Sequence, residues 1–357
     1  MAAFAVASFA HAQDGPVYSD GPHVFWHDST RATVFYLCEG EITKRAFEVS
    51  DSLRFAGFCG DSETDYAMAV SPPMVEPGTF ESVSRIFAVS DIHGEFEALR
   101  TALIRAGVVD SSLRWSWGDG HLVICGDVFD RGDRVTEALW LIHRLEAEAK
   151  RAGGRVHYLI GNHEEMVLHG DNRYVNEKYL DGVALKSRLP HQELFGPESE
   201  LGRWLRTKNA MVRINGILYV HGGISPEFCA LGLPVDSLNA RMRRYLEYSA
   251  VRAKFDSAAS FFMGIYGPLW HRGFFEADSR DRYQRMTQAE VESVAACFDA
   301  RVIVVGHTEQ PHVAAHYEGR VYSLDVPIED LGGTEGLLWQ DDGFWRVTVA
   351  GDKVPLP

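Results

Sequence analysis

The sequence predicts a layered α/β fold, and three observations carry the prediction. Short apolar runs alternate with stretches of helical period from residue 85 onward, the pattern of strands and helices packed in layers. Several of those runs stop abruptly in a cluster of Asp, His, Asn and Gly. The part before residue 80 reads instead as short β runs bounded by Gly, Pro and Asp. Composition agrees with a folded chain: of 357 residues, 46% are apolar and 24% charged, with 33 Gly and 14 Pro, too few for a low-complexity chain. With 35 Lys+Arg against 50 Asp+Glu the formal charge is −15. That balance argues against a nucleic-acid partner, whose backbone is bound by neutralising its phosphates. No apolar run reaches the roughly 18 residues that a membrane-spanning helix needs.

At its start, MAAFAVASFAHA over residues 1–12 is a short apolar stretch closing on Ala10-His11-Ala12. Small-x-small is the pattern a signal peptidase accepts, although no basic segment precedes it. It reads as a truncated export signal ahead of a mature chain from near Gln13, and export implies a periplasmic or secreted protein. If it is only an Ala-rich terminus, the protein is cytoplasmic. Cys38, Cys59, Cys125, Cys229 and Cys297 form no CxxC or other zinc-like spacing. Cys125 lies in an apolar run and reads as packing. Cys38 and Cys59 either pair in an oxidising compartment or stay as buried thiols.

Residues 13–80 are expected to form a small β-rich unit, with strands at Val24–Trp26 and Thr33–Leu37. Ser71–Gly78 reads as a linker, because its prolines Pro72, Pro73 and Pro77 continue neither regular structure. Residues 81–357 form the larger unit. Arg85–Ser90 reads as a strand, and Phe96–Ala106 as a helix with apolar Phe96, Leu99, Leu103 and Ile104 on one face. A strand at His121–Cys125, a helix at Val135–Lys150 and a strand at Val156–Ile160 follow. Further strands are expected at Met211–Ile214, Ile217–Val220 and Val302–Val305, with mostly helical chain from Ser237 to Phe298. Gly336–Trp339 and Phe344–Val349 read as a closing antiparallel pair.

The chemistry lies where the strands end. The clusters are Asp91-Ile92-His93-Gly94, Gly126-Asp127-Val128-Phe129-Asp130-Arg131-Gly132, Gly161-Asn162-His163-Glu164, His221-Gly222-Gly223 and Gly306-His307-Thr308. In α/β sheets ligands bind outside the carboxyl ends of strands, so these loops should converge. They supply oxygen and imidazole donors and no thiolate, a set suited to Mn, Fe or Zn in an open geometry. Asp91 and His93, two residues apart, can grip one ion, and the Asp127 carboxylate can bridge two. Asn162, His221 and His307 would complete a second site. Two cations about 3.5–4 Å apart clamp the attacking and leaving oxygens of an in-line displacement and supply hydroxide at neutral pH.

Gly-Asp-x-x-Asp-Arg-Gly, Gly-Asn-His-Glu and His-Gly-Gly, in that order, resemble the calcineurin-like metallophosphoesterases, and within them the phosphoprotein phosphatase branch. The resemblance covers roughly Ile86 to Ser323. It implies a β-sandwich flanked by helices and a metal-dependent phosphatase that attacks phosphomonoesters with a hydroxide bridging two metal ions. It assigns Asp91, His93 and Asp127 to one ion, and Asp127, Asn162, His221 and His307 to the other. His163 is the expected general acid, Asp130 orients its imidazole, and Arg131 holds phosphate oxygens. Ile160 stands where eukaryotic-type Ser/Thr members carry Arg. Leu269-Trp270-His271-Arg272-Gly273, with the Asp-Gly-Pro-x-Val-Phe opening at Asp20, is similar to the bacterial Shewanella-like protein phosphatases, many active on phosphotyrosine. This makes Arg272 a second expected phosphate ligand and a phosphorylated protein or small phosphomonoester the expected substrate.

His121, His143 and His157 sit in or beside apolar runs and read as ordinary core or surface histidines. His169, His312 and His316 have no ligand-like context. Glu164 and Glu165 open a helix, where acids are favoured. Two other readings stay open: a bis(5'-nucleosyl)-tetraphosphatase, which shares the early motifs, and a non-catalytic metal- or phosphate-binding protein. Every ligand position and the acid pair are filled, which argues against the last.

Overall fold

The computed structural model describes residues 16–60, 66–70 and 72–357. The expected export signal lies outside the described residues. β1 (Asp20–Asp28) and β2 (Arg31–Cys38) are buried along most of their length, with Val24, Trp26, Val34 and Leu37 among the enclosed residues. With the antiparallel β3 (Glu41–Glu48) they form a sheet in the order β1-β2-β3. β3 is charged and mostly exposed along its length, which discourages further strand pairing at that edge. A small antiparallel pair, β4 (Ser52–Phe55) and β5 (Tyr66–Ala69), follows. The expected linker runs without regular structure over Pro72–Gly78. Cys38 and Cys59 are joined in a disulfide, resolving the alternative left open by the sequence.

The rest is a sandwich of two sheets. β6 (Thr79–Phe80), β7 (Arg85–Val89), β8 (His121–Ile124), β9 (Arg155–Tyr158), β10 (Met211–Ile214) and β11 (Ile217–Val220) come first in the chain. They are followed by β12 (Val302–Val305), β13 (Ala314–His316), β14 (Val321–Ser323), β15 (Gly336–Gln340), β16 (Gly343–Val347) and β17 (Lys353–Leu356). Among the described residues one sheet has the order β17-β16-β15-β7-β8-β9 and the other β13-β14-β12-β11-β10-β6. β7, β8 and β9 run parallel, as do β11, β12 and β14.

Parallel strands are covered on both faces and must therefore be apolar throughout. β7 shows this directly. Ile86 and Ala88 point into the seam between the sheets with Val123, Cys125, Tyr219 and Val304. Phe87 and Val89 point the other way, toward the helices, with Leu122 and Ile124. Those helices include α1 (Phe96–Arg105), α2 (Val135–Arg151) and α3 (Asn162–Leu168). α2 is buried along most of its length because the β1-β2-β3 sheet covers its outer side: Trp140 is 1% exposed, and its Nε1 donates to the Pro22 carbonyl at 2.8 Å.

Two features differ from the sequence reading. The stretch Ser237–Phe298 is helical only at Val235–Leu246, Ala250–Phe255, Ser257–Phe262 and Gln288–Ala296. Between the last two, Gly264, Gly267, Pro268 and Gly273 interrupt the helix and leave the loop that carries Arg272. A second disulfide, Cys229–Cys297, ties that region together. No helix among the described residues is long and apolar enough to cross a membrane.

Candidate active site

β7, β8, β9, β11 and β12 each end in one of the five clusters, and the clusters meet. Asp127 stands at the centre. Its Oδ2 lies 3.2 Å from His221 Nε2 and 3.8 Å from both His93 Nε2 and His163 Nε2. Asp91 Oδ1 is 4.0 Å from His93 Nε2, and Asn162 Oδ1 is 2.8 Å from His221 Nε2. Two groups of three could hold an ion, His93–Asp127–His163 and Asp127–His221–His307, with ligand atoms inside 4.8 Å of one another. Asp127 belongs to both.

The backbone is forced into this arrangement. Asp91, His93, Asp127, Asp130, Arg131 and His307 all have φ between 46° and 71°, the left-handed region that non-glycine residues avoid at a cost of about 1–3 kcal/mol each. Glycines allow the loops to approach. A Cβ on Gly126 (φ 88°) would stand 2.7 Å from the Gly161 backbone and 2.8 Å from His221 Nδ1. Glu164, fully buried, ties the loops together: its carboxylate accepts from Gly161 N, Asp127 N, Val128 N and the Tyr158 hydroxyl. It caps α3, as its place at the helix start suggested, and it also fixes the loop that presents Asp127.

Hydrogen bonds set which imidazole nitrogen faces inward. His93 Nδ1 donates to the Phe129 carbonyl at 2.8 Å and His221 Nδ1 to the Cys125 carbonyl at 2.7 Å, so both present Nε2 to the centre. His163 differs. Its Nδ1 donates to Asp130 Oδ2 at 2.6 Å, and its backbone N–H donates to Asp127 Oδ1. Arg272 donates to the His307 carbonyl at 2.6 Å, placing its guanidinium beside that loop. Arg131 lines a cleft of about 290 Å³ together with Asp91 and His93. All ten residues singled out in the sequence therefore border one site.

The electrostatics are those of a cage for cations. Burial, then the Asp127 charge, raises the Asp91 carboxyl above the usual range. Asp127 stays low despite burial, because His221, His163 and His93 surround it. Burial disfavours the His221 cation, yet Asp127 and Asp91 push that imidazole up to about 10. His93 is drawn down to about 4, chiefly by burial, with Arg131 and His163 adding to the effect. His307 lies well below the ordinary value for the same reason, helped by His221 and Arg272. Its Nε2 is buried without a hydrogen-bond partner, a costly state for a polar atom that a bound cation would relieve. The donor set, all oxygen and imidazole, fits that cation.

Sequence reasoning missed two residues. Asp325 follows β14 and borders the same cleft as Asp91; burial and the charges of Asp91 and Asp127 push its carboxyl up to about 9. It obeys the strand-end rule but stands without a Gly or His beside it. Tyr174, half exposed, lays its ring 5.2 Å from that of His163, and nothing in its neighbourhood in the sequence marks it. Trp270 is set edge-on to His307 at 5.9 Å, whereas Trp140 and Trp204 are core.

Comparison with known proteins agrees with this geometry. The calcineurin-like phosphoesterase family profile matches residues 84–311. Shewanella-like protein phosphatase 1 of Plasmodium berghei is 30% identical over 67% of this chain and 66% of its own length. Shewanella-like protein phosphatase 2 of Arabidopsis thaliana is 29% identical over 54% of this chain and 56% of its own. The crystal structure of a cold-active protein-tyrosine phosphatase from a psychrophilic Shewanella species superposes with a TM-score of 0.87 at 34% identity, covering 95% of this chain and 99% of that one. With a site built for cations at the ends of the strands and a family match across most of its length, the chain belongs to the calcineurin-like phosphoesterases and is a metal-dependent phosphatase.

Proposed function

We propose that the chain hydrolyses phosphomonoesters on proteins, phosphotyrosine among them, with a pair of metal ions drawn from Mn, Fe and Zn. The observation that carries this reading is the position of Asp127, shared between two groups able to hold an ion, one of which includes His163, whose Nδ1 is held by Asp130. Asp91, His93 and Asp127 would hold one ion, and Asp127, Asn162, His221 and His307 the other. When bound, the ions neutralise phosphate charge and make a water-derived nucleophile available at neutral pH. Arg131 and Arg272 clamp phosphate oxygens from two sides, a task suited to guanidinium.

His163 takes the role of general acid rather than ligand. Its Nε2 is as far from Asp127 as that of His93, but its Nδ1 is held by Asp130. Burial works against its cation, and Asp130 and Asp127 outweigh burial, so its pKa is raised. A proton is thereby kept at Nε2 for a leaving alkoxide or phenoxide near pH 7. The half-exposed Tyr174 ring beside it offers a face to an aryl leaving group. The two disulfides support a periplasmic or secreted location, where such bonds persist.

The test compares p-nitrophenyl phosphate, tyrosine- and serine-phosphorylated peptides and diadenosine tetraphosphate with Mn, Fe or Zn added to metal-stripped protein. Faster hydrolysis of phosphopeptides than of the dinucleotide is expected. The reverse order would overturn the proposal in favour of a dinucleotide hydrolase.

A further inference from the structure

We infer that the N-terminal sheet positions Arg131: the buried Asp20–Lys178 ion pair anchors the segment 171–179, which holds both backbone groups of that arginine. The inference rests on the proposed role of Arg131 as a phosphate ligand.

Asp130 and Arg131 are consecutive residues in left-handed conformation, at φ 71° and 62°. Residues other than glycine hold such angles only where their surroundings enforce them. Here the enforcement comes from one stretch of chain. The Arg131 N–H donates to the Tyr174 carbonyl at 2.9 Å, and Asn176 Nδ2 donates to the Arg131 carbonyl at 2.8 Å. Two residues on, the Asp133 carbonyl accepts from the Tyr179 hydroxyl at 3.0 Å. The same hydroxyl accepts from Thr136 N at 3.2 Å, at the start of α2.

That stretch is irregular from residue 169 to 176 and needs an anchor of its own. Lys178 supplies it. Its Nζ lies 2.8 Å from Asp20 Oδ1, with the two side chains 7% and 0% exposed. The other Asp20 oxygen accepts from Thr136 Oγ1 at 2.9 Å and lies 2.8 Å from His23 Nε2. One carboxylate from β1 thus fixes the start of α2 and the strap over Arg131 together. A buried ion pair is a weak source of net stability compared with apolar packing, but its geometry is demanding. Its use here is to set a position. The N-terminal sheet is then part of the phosphate site, although none of its residues borders the metal cage.

The experiment measures the inhibition constant of inorganic phosphate, and kcat and KM for p-nitrophenyl phosphate, on the metal-loaded full chain. Lys178→Met, Tyr179→Phe and Lys178→Arg are each made in the wild-type and Arg131→Ala backgrounds. Phosphate inhibition should weaken about tenfold for Lys178→Met and about threefold for Tyr179→Phe, KM rising more than kcat falls, and metal content should be unchanged. Lys178→Arg should restore most of the affinity. In the Arg131→Ala background neither change should add to the loss, because the group being positioned is gone. Equal losses in both backgrounds, or an unchanged inhibition constant, would overturn the inference. If Lys178→Met fails to fold, the Tyr179→Phe cycle decides alone. If Arg131→Ala itself leaves phosphate inhibition intact, it is the role of Arg131 that fails.

Discussion

Two buried clusters in this protein both set imidazole against carboxylate and are arranged in opposite ways. Around Asp20, the carboxylate meets an ammonium, an imidazole and a hydroxyl, all supplied by the chain. Around Asp127, burial and neighbouring carboxylates raise the Asp91 and Asp325 carboxyls, and His307 Nε2 lacks a hydrogen-bond partner; Asp20 Oδ1 also makes no hydrogen bond but has the Lys178 ammonium 2.8 Å away. The first cluster is complete within the protein and joins parts of the fold. The second has a donor set that cations from outside would complete. Buried polarity by itself therefore does not mark a functional site; carboxylates and imidazoles that converge without a cationic partner from the chain do.

The contrast can be broken in several places. The largest effect is expected at Asp127: Asp127→Ala should remove bound metal and cut turnover by more than the loss of the acid does, as metal analysis and assay will show together. Next, His163→Asn should keep its metal yet lose about 10²–10⁴-fold in kcat on alkyl phosphates. Aryl phosphates, whose leaving groups need less protonation, should lose less. Equal losses on both substrates would remove His163 from the acid role. Asp20→Asn should act on the fold and leave metal content alone, because it strands Lys178 without its main partner. Breaking such a buried pair costs about 3–5 kcal/mol, measurable by denaturant unfolding.

The smallest effect concerns pH, and the two clusters should respond with opposite sign. Asp20 is held below the ordinary carboxylate value of 3.8: burial opposes this, and His23 and Lys178 outweigh it. Its stabilisation is present above that value and is lost as the pH falls through the lowered one. In metal-free protein, His221 and Asp325 have raised values, about 10 and about 9. What they contribute is lost as the pH rises, His221 from its ordinary 6.5 upward and Asp325 up to its raised value. Thermal unfolding with and without chelator should show the metal-free form weakening between pH 6.5 and 9, and the loaded form much less. A metal-free Tm that climbs over that interval would contradict the cage.

Most of the site was legible because its rule is local. An apolar run such as Val302–Val305 followed at once by Gly306-His307 announces a strand end with a ligand, and the same holds at Asp91, Asp127, Asn162 and His221. Arg272 was legible only through the residues around it. Asp325 escaped because β14 is short and its Asp stands alone. Tyr174 and the Asp20–Lys178 pair escaped for a different reason: they depend on how an irregular strap crosses the fold, which no periodicity records. The strands that carry the site were equally readable from unbroken apolar runs, whereas β3, β4, β5, β13 and β17, short or bearing charged residues, were not. The over-long helical expectation between Ser237 and Phe298 failed where closely spaced glycines and Pro268 override the periodicity. The Cys229–Cys297 bond had no spacing signal at all.

Cys125 gives the molecule a built-in reporter. Among the described residues it alone carries a free thiol, it is wholly enclosed between the two sheets, and burial pushes that thiol well above its ordinary pKa. Its carbonyl is also the acceptor that aims His221 at the centre. Alkylating reagents can reach the sulfur only when the sandwich parts, so the rate of labelling counts those openings. Comparing that rate in loaded and stripped protein would measure how far the ions brace the sheets beneath them, with no mutation and no added dye.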